Sequence, residues 1–250
     1  MKKNVLLALV GVLAMFATSC RADSSRKVSN APQPENEIWY TSKDGTIVEP
    51  DEVVKRYISQ VFGANIVSNT YQDGKGVIVF DDDVKFIGAL AFKNNCNLTS
   101  ISLPWCVTVI HKDSFNGCTS LSSITIPWGV TDIGERAFYN CTGLTNIIIP
   151  NSVVGIGDRA FANCTSLTSI SIPYPSDIVL GDKAFAYCKS LTSIYCESSC
   201  PPKLVGGNVF VGVASDCKLY VPTTSVETYK ETEGWRKFYF NTVGYDFPRE

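Results

Sequence analysis

The stretch Leu121-Ser-Ser-Ile-Thr-Ile-Pro127 is followed 23 residues later by Leu144-Thr-Asn-Ile-Ile-Ile-Pro150. A pair made of alanine or serine followed by phenylalanine recurs at spacings of 23, 23, 23 and 24 residues, at 91–92, 114–115, 137–138, 160–161 and 184–185. The consensus unit is Leu-x-x-Ile-x-Ile-Pro-x-x-Val-x-x-Ile-Gly-x-x-Ala-Phe-x-x-Cys-x-x. A fixed period of this length indicates a stack of similar units, because no single unit can bury its own apolar face.

Each part of the unit predicts a structural element. The Leu-x-x-Ile-x-Ile segment is a short strand that ends at proline, which cannot donate to a sheet ladder. The Val-x-x-Ile segment is expected to form an opposite wall, with Gly134 and Gly157 permitting the sharp bend after it. The Ala-Phe pair is expected to fill the interior in a single helical turn. The period therefore predicts an α+β, strand-dominated leucine-rich-repeat solenoid of about five 23-residue units over 76–222.

Both ends of the stack are predicted to be capped, because an open end would expose the apolar interior. The N-terminal cap, 36–75, is expected to contain a hairpin whose strands, 38–41 and 46–48, flank Asp44-Gly45, a helix over 51–62, and a hairpin turning at Asp73-Gly74. The C-terminal cap covers 223–250 and follows a last strand at 219–222. Ser225 is expected to cap a helix that runs to Glu231, and four aromatic residues are expected to close the end: Trp235, Phe238, Tyr239 and Phe240.

The N-terminal segment predicts export. Lys2 and Lys3 precede an apolar run over 5–16, which is too short to span a bilayer and typical of a signal peptide, here 1–19. Small residues before Cys20 resemble a lipobox, so Cys20 is predicted to be acylated and 20–35 to form a polar tether. The alternative is ordinary secretion. The predicted location is the outer membrane or cell surface, held by the lipid anchor alone.

These features together resemble the BspA-like leucine-rich-repeat family of bacterial surface lipoproteins. The residues that carry the resemblance are the Ile-Pro, Ile-Gly, Ala-Phe and Cys positions of the repeat, the entry segment Ile38-Trp-Tyr-Thr41, and the ending Pro201-Pro202, Leu219-Tyr-Val-Pro222, Tyr229-Lys and Trp235. The resemblance implies a repeat solenoid that acts as a surface or secreted binding protein, with adhesion as an implicated role. It implies no shared ligand and no catalytic residues.

Composition excludes several function classes. The chain has 22 basic and 24 acidic residues, a net charge of −2, which argues against nucleic-acid binding. The single histidine, His111, excludes every multi-histidine metal site and is interpreted as a turn residue. The acidic run at 81–83 lacks the spaced ligands of a calcium loop and is interpreted as a solvated turn. No cofactor, metal or catalytic residue is predicted.

Ten cysteines require an explanation. Four occupy one repeat position and are interpreted as a buried ladder that hydrogen-bonds turn backbone, with disulfides or a metal site as alternatives: Cys118, Cys141, Cys164 and Cys188. Asparagine replaces cysteine at this position in the first unit, at Asn95, which favours the ladder. Cys196 is expected in the core, Cys200 and Cys217 are candidates for a disulfide, and Cys106 has no assigned role.

The remaining candidate site is a surface. Alternating strand residues are expected to point outward as a small, polar, nearly uncharged face beside exposed aromatics at the strand ends. The residues of this predicted binding face are Ser100, Ser102, Trp105, Ser123, Thr125, Trp128, Asn146, Ile148, Ser169, Ser171, Tyr174, Ser193 and Tyr195. Two alternatives are that the tryptophans pack on neighbouring turns, and that the hydroxyls order water as in ice-binding solenoids. The second is disfavoured by the interruptions at Asn146, Ile148 and Tyr195.

The sequence thus predicts a non-catalytic envelope lipoprotein that binds a protein or glycan partner, such as host matrix, through the repeat surface. It predicts no nucleic-acid partner. One alternative is an envelope or glycan-processing accessory enzyme with an unrecognised carboxylate site, which would require paired acidic residues in one concave pocket. A structural role in the envelope, without a soluble ligand, is a third hypothesis.

Overall fold

A computed structural model describes residues 32–174 and 178–247. The predicted signal peptide 1–19, the predicted lipidation site Cys20 and the tether as far as residue 31 lie outside the described residues. Within the described ranges, no helix has the length and apolar character needed to cross a membrane.

The N-terminal cap is built around a strand that is paired on both sides. Strand β1 (Glu37–Ser42) lies antiparallel to β3 (Lys75–Phe80) and also to β5 (Leu98–Ser102), the first long repeat strand. β2 (Ile66–Gln72) pairs with β3, which confirms the predicted second hairpin. The cap therefore extends the repeat sheet by three strands beyond β5.

The first predicted hairpin does not form, so that prediction is wrong. No strand forms over 46–48, because both edges of β1 are already occupied by β3 and β5. The segment is instead held as a loop by the carboxylate of Asp44. Its Oδ1 accepts hydrogen bonds from the backbone N–H of Thr46 at 2.9 Å and from Asn97 Nδ2 at 2.7 Å.

The cap helix is shorter than predicted. A 3-10 turn at Lys55–Tyr57 precedes helix α1 (Ile58–Phe62), and φ of −131° at Tyr57 interrupts the helical backbone between them. The helix ends at Gly63 as expected, with φ of +79°, a conformation that glycine adopts without strain. Phe62 is fully buried and joins the core.

Beyond the cap, the chain winds into coils, and each coil adds one strand to each of two facing walls. The first wall is a single parallel ladder of two-residue strands: β4 (Phe86–Ile87), β6 (Val109–Ile110), β8 (Asp132–Ile133), β10 (Gly155–Ile156), β12 (Val179–Leu180) and β14 (Lys203–Leu204). This is the opposite wall predicted from Val-x-x-Ile. Its register is uniform, for example Ile133 beside Ile156.

The second wall contains the Leu-x-x-Ile-x-Ile strands. These are β5, β7 (Ser123–Thr125), β9 (Asn146–Ile148), β11 (Ser169–Ile172) and β13 (Ser193–Cys196). The wall continues with β15 (Lys218–Pro222) and β16 (Thr242–Tyr245), which lack that pattern. β5 and β7 belong to a sheet with the N-terminal cap, whereas β9, β11, β13, β15 and β16 form a second sheet. β7 and β9 are adjacent but are not joined in one ladder in the described structure.

A column of stacked phenylalanine rings fills the interior. The members are Phe92, Phe115, Phe138, Phe161, Phe185 and Phe210, all buried. Neighbouring ring centroids lie 5.1 to 5.8 Å apart with interplanar angles of 2 to 11°. Phe210 is the sixth member, so the stack has one more coil than the five that the Ala-Phe pairs predicted, because Val209 replaces alanine there.

The Ala-Phe segments are not helical turns, which corrects the prediction. The backbone N–H of Phe115 donates to the carbonyl of Ala137 at 2.8 Å, and that of Phe138 donates to Ala160 at 2.7 Å, each in the next coil. In a helix, these N–H groups would donate to carbonyls of the same segment. Residues such as Arg136 and Asn140 adopt positive φ, which alternates the direction of the backbone groups.

Glycines at the bend are needed for close stacking rather than for an unusual φ. A Cβ on Gly134 would lie 2.5 Å from the backbone nitrogen of Lys112, and one on Gly157 would lie 2.5 Å from that of Glu135. Adjacent coils therefore approach backbone to backbone at this position. The bend itself is where the prediction placed it.

The C-terminal cap contains helix α2 (Val226–Glu231) and a 3-10 segment (Arg236–Asn241). Trp235 and Phe238 close the interior as predicted, and Trp235 Nε1 donates to the carbonyl of Pro202 at 2.9 Å. The expectation fails for Tyr239 and Phe240, which are 46% and 95% exposed, because the 3-10 segment turns them outward. Ser225 precedes α2 but makes no side-chain capping bond. β16, not 219–222, is the last strand of the wall.

Candidate binding surface

The outward side chains of β5, β7, β9, β11 and β13 form two rows, which we call the strand face. Parallel pairing aligns Ser100 with Ser123 and, in the second sheet, Asn146 with Ser169 and Ser193; together they form the first row. The second row consists in the same way of the pair Ser102 and Thr125, followed by the aligned residues Ile148, Ser171 and Tyr195. All ten strand residues of the predicted binding face are therefore brought together on one side of the molecule, with isoleucines between them facing the core.

The rows continue onto the caps, which the sequence prediction missed. Thr41 pairs with Ser100 and Trp39 pairs with Ser102 across the antiparallel contact of β1 with β5. At the other end, Tyr220 of β15 lies beside Tyr195. Trp39 and Thr41 alternate with the buried residues Ile38 and Tyr40, and this alternation predicts that they point outward. It does not predict which strand β1 pairs with.

The strand ends carry an aromatic rim, defined here as Trp105, Trp128 and Tyr174. Each residue follows the proline that ends its strand, and their exposed fractions are 64%, 70% and 62%. The alternative in which the indoles are packed away against neighbouring turns is not observed. Asn151 occupies the same position in the coil between Trp128 and Tyr174 and is also exposed.

Tyr195 belongs to a different group from the rim. Its ring stacks on Tyr220 at 4.7 Å with an interplanar angle of 11°, and Tyr245 approaches both rings edge-on. Partial burial raises the pKa of Tyr195, and the neighbouring phenol of Tyr220 raises it further. These three tyrosines form an aromatic cluster at the C-terminal end of the strand face.

The four repeat-position cysteines form the predicted buried ladder. Each thiol donates to the carbonyl of a phenylalanine in the preceding coil at 3.0 to 3.2 Å: Cys118 to Phe92, Cys141 to Phe115, Cys164 to Phe138 and Cys188 to Phe161. Burial raises the pKa of every ladder thiol, to about 12 for Cys188. The ladder is thus a structural feature that satisfies backbone carbonyls in the interior.

The other cysteines are also unpaired. All nine described cysteines are free thiols, so Cys200 and Cys217 do not form the disulfide that was considered. Cys196 is fully buried in the core, as expected. Cys106, for which the sequence offered no role, directs its thiol at the carbonyl of Val84, 3.2 Å away.

Residues considered for metal or acid–base chemistry have structural partners. Among the described residues, no group of three or more histidine, cysteine, aspartate or glutamate side chains is arranged to hold a metal ion. Asp81 is an exposed turn residue that accepts hydrogen bonds from the backbone and side chain of Asn65, and these bonds lower its pKa. His111 is exposed, with its ring against the edge of Phe86.

The sequence profile described as the BspA type leucine-rich repeat region matches residues 85–213 in six copies. The chain belongs to the BspA-type leucine-rich-repeat family. The six copies agree with the six coils marked by the phenylalanine column, so the predicted family and fold are confirmed. No curated protein matches this BspA-type chain.

Solved structures of other repeat proteins resemble this BspA-type chain over part of its length. A leucine-rich-repeat protein of T. pallidum is 33% identical, with a TM-score of 0.44 over 46% of this chain and 53% of that one. A leucine-rich cell surface protein of Faecalibacterium prausnitzii A2-165 is 27% identical, with a TM-score of 0.44 over 62% and 46%. The pneumococcal vaccine antigen PcpA is 20% identical, with a TM-score of 0.50 over 64% and 38%, and shares the fold. The chain thus spans about half or less of these proteins.

Proposed function

We propose that the protein is a non-catalytic, lipid-anchored component of the cell envelope that binds a protein or glycan partner through the strand face and its aromatic rim. The observation that carries this proposal is the regular register of the two rows within each sheet. It presents small polar side chains at a regular spacing on a rigid wall, directly beside three exposed aromatic residues.

The energetics of association support this surface. Stacked coils hold the rows in place, so little conformational entropy is lost when a partner binds. Serine and threonine hydroxyls exchange water for partner hydrogen bonds, while aromatic side chains such as Trp105 and Trp128 supply most of the binding free energy at interfaces. Charged neighbours are few; Glu197 accepts a hydrogen bond from Ser171 at the edge of the second row.

The proposed location rests on the N-terminal sequence. A basic start, a short apolar run and Cys20 are the features of an exported, acylated precursor. The polar segment after Cys20 would separate the solenoid from the membrane. One repeat protein with a similar structure, from F. prausnitzii, is described as a cell surface protein, which is consistent with this location.

The enzymatic alternative requires paired carboxylates in a concave site. Two depressions in the described structure are relevant, one over β1, β5 and β7 and one beside Phe210 and Lys237, and no carboxylate lines either of them. The half-buried Glu135 is engaged in ion pairs with Lys112 and Arg136 at 3.2 and 3.3 Å. A binding role is therefore favoured over a catalytic one.

A binding screen tests the proposal directly. The full chain, extracted in detergent, is passed over immobilised matrix proteins and a glycan array, and every hit is measured again with Trp128→Ala. Arg136→Ala, on the turn side, is the matched control. The proposal predicts that Trp128→Ala weakens binding and that Arg136→Ala does not; a partner that depends on Arg136 alone would refute it.

A further inference from the structure

The N-terminal end of the strand face contains a shallow depression of about 300 Å³ over β1, β5 and β7. Trp39 and Lys75 form one side. Across the floor and the other side lie five hydroxyl side chains, with Tyr40 and Ile101 beneath them: Thr41, Ser100, Ser102, Ser123 and Thr125. Only the serines and Thr125 belong to the binding face predicted from the sequence.

Strand pairing arranges the depression as two short rows. Trp39, Ser102 and Thr125 lie side by side on three consecutive strands, and so do Thr41, Ser100 and Ser123. Two strand spacings separate the indole from Thr125, or about 10 Å. This distance is on the scale of one or two sugar rings.

Trp39 is held in a fixed orientation. Its Nε1–H donates to Glu37 Oε2 at 2.6 Å, and Lys75 Nζ lies 3.2 Å from the ring centroid. Among the ion pairs of the described residues, none includes Lys75, so its ammonium group retains donors for a ligand. A pre-oriented aromatic ring loses little entropy when a ligand stacks on it.

The hydroxyls divide into satisfied and available groups. Thr41 Oγ1 lies 2.6 Å from Ser100 Oγ, and Ser102 Oγ donates to Gln33 Oε1 at 2.6 Å. Ser123 and Thr125 are exposed, and the described structure contains no hydrogen bond made by their side chains. The free donors and acceptors therefore lie on the side of the depression facing Trp39.

We propose that this depression binds one or two residues of a neutral glycan, an inference that rests on the proposed function of the strand face. The apolar face of a sugar ring stacks on the part of the indole that Lys75 leaves open. The ring hydroxyls exchange hydrogen bonds with Ser123 and Thr125 and accept one from Lys75. Because no carboxylate lines the depression and Lys75 is its one cation, no charged group on the ligand is required.

A peptide fits this site less well. The apolar residues beneath the floor, Tyr40 and Ile101, are 2% and 3% exposed, so no apolar pocket is open to a peptide side chain. The outer edge of β7 faces the next coil, where Thr145 N–H donates to the carbonyl of Ser122 at 3.5 Å. A peptide therefore cannot extend the sheet at that edge.

Affinity electrophoresis of the full chain tests the inference. The gels contain galactomannan, xyloglucan, laminarin or amylopectin as neutral probes, polygalacturonate as an acidic probe and gelatin as a polypeptide probe. At least one neutral polysaccharide should retard the protein. Trp39→Ala should weaken that binding about 30-fold, and Thr125→Val, which keeps the side-chain shape, about fivefold. Tyr57→Ala removes an exposed aromatic of the same cap outside the depression and should leave retardation unchanged.

The outcomes separate this inference from the proposed function. Retardation by gelatin or polygalacturonate alone, by no neutral probe, or equally for Trp39→Ala, Thr125→Val and the unmodified protein would overturn the glycan assignment. A protein partner sensitive to Trp128→Ala would leave the proposed function intact in each of those cases. If no partner found in the screen responds to any strand-face substitution, the proposed function fails. Thermal melts confirm that each variant is folded.

Discussion

Phe138 and Phe161 stack with their ring centroids 5.1 Å apart and their planes within 5°, although 23 residues separate them in the chain. Both rings are fully buried, and each has a second phenylalanine on its other face. The interior of one coil is therefore completed by the rings of its two neighbours. The stability of each coil therefore depends on the coils on both sides of it.

Phe138→Ala should be strongly destabilising, because it opens a cavity in the middle of the column that the flanking rings can fill only partly. The expected loss in free energy of unfolding is about 3 to 5 kcal/mol. Urea unfolding followed by circular dichroism measures it. Trp128→Ala removes a larger but exposed ring and should change stability by less than about 0.5 kcal/mol. Equal losses for the two variants would contradict the column as a main source of stability.

Gly157→Ala should be destabilising by about 1 to 3 kcal/mol, because the new Cβ would lie 2.5 Å from the backbone nitrogen of Glu135 and the coils must move apart. Gly207→Ala is the matched control, since a Cβ there meets nothing within 4 Å. Thermal melting of the two variants in parallel tests this difference. A melt of Gly157→Ala that coincides with that of Gly207→Ala would show that the coils are not in close contact at the bend.

Stability should fall in alkaline solution. A ladder thiol such as Cys188, whose pKa is raised to about 12 by burial, keeps its proton in the native protein but ionises above about pH 8.5 once unfolded. Proton loss therefore favours the unfolded state. The stabilising contribution of the neutral thiol is full below about pH 8.5 and is lost as the pH rises toward the folded-state pKa, by up to about 1.4 kcal/mol per pH unit for each ladder thiol.

Urea unfolding under reducing conditions, between about pH 7 and about pH 10, measures this slope. Cys141→Ala should reduce the slope by the share of one thiol, because burial raises the pKa of Cys141 well above its usual range. Ser122→Ala, at an exposed position without an ionisable group, is the control and should leave the slope unchanged. A slope that Cys141→Ala does not alter would mean that the ladder is not the source of the alkaline sensitivity.

Binding of a partner identified by the screen should weaken about 30-fold with Trp128→Ala, because exposed aromatic anchors account for most of the affinity at interfaces. Tyr195→Ala should weaken binding by a similar factor and also cost about 1 kcal/mol of stability, since it removes the stacking contact with Tyr220. Biolayer interferometry and thermal melts separate the two effects. Normal binding by both variants, with loss in Arg136→Ala, would move the site to the turn side.

Cys20→Ala should release the protein from the membrane fraction or leave an unprocessed precursor, because acylation requires the thiol. Fractionation followed by immunoblotting distinguishes these outcomes from the wild type. Cys200→Ala, which removes an exposed thiol of the solenoid, is the control and should remain membrane-bound. A processed Cys20→Ala protein that stays in the membrane fraction would refute the lipid anchor.

The solenoid could be predicted from the repeat, because the period alone determines which strands lie next to each other. Once successive leucines such as Leu98 and Leu121 are placed one coil apart, the register of Ser100 with Ser123 and the burial of Cys141 follow from the period alone. The caps lack that period. The pairing of β1 with β5 depends on which edge of the stack is open, so the role of Trp39 could not be read from its own segment. The exposure of Phe240 depends on the 3-10 backbone at 236–241, and apolar character alone predicted the opposite.

The near-identity of the contacts along the phenylalanine column has an evolutionary consequence. A coil inserted between the coils of Phe138 and Phe161 would meet on each side the same ring, the same thiol-to-carbonyl bond and the same glycine bend that those coils already offer. Gene duplication of one 23-residue unit can therefore lengthen the molecule without new side-chain chemistry and without altering either cap. Each added unit would extend the strand face by about 4.8 Å, so the reach of the surface is set by copy number while its chemistry stays constant.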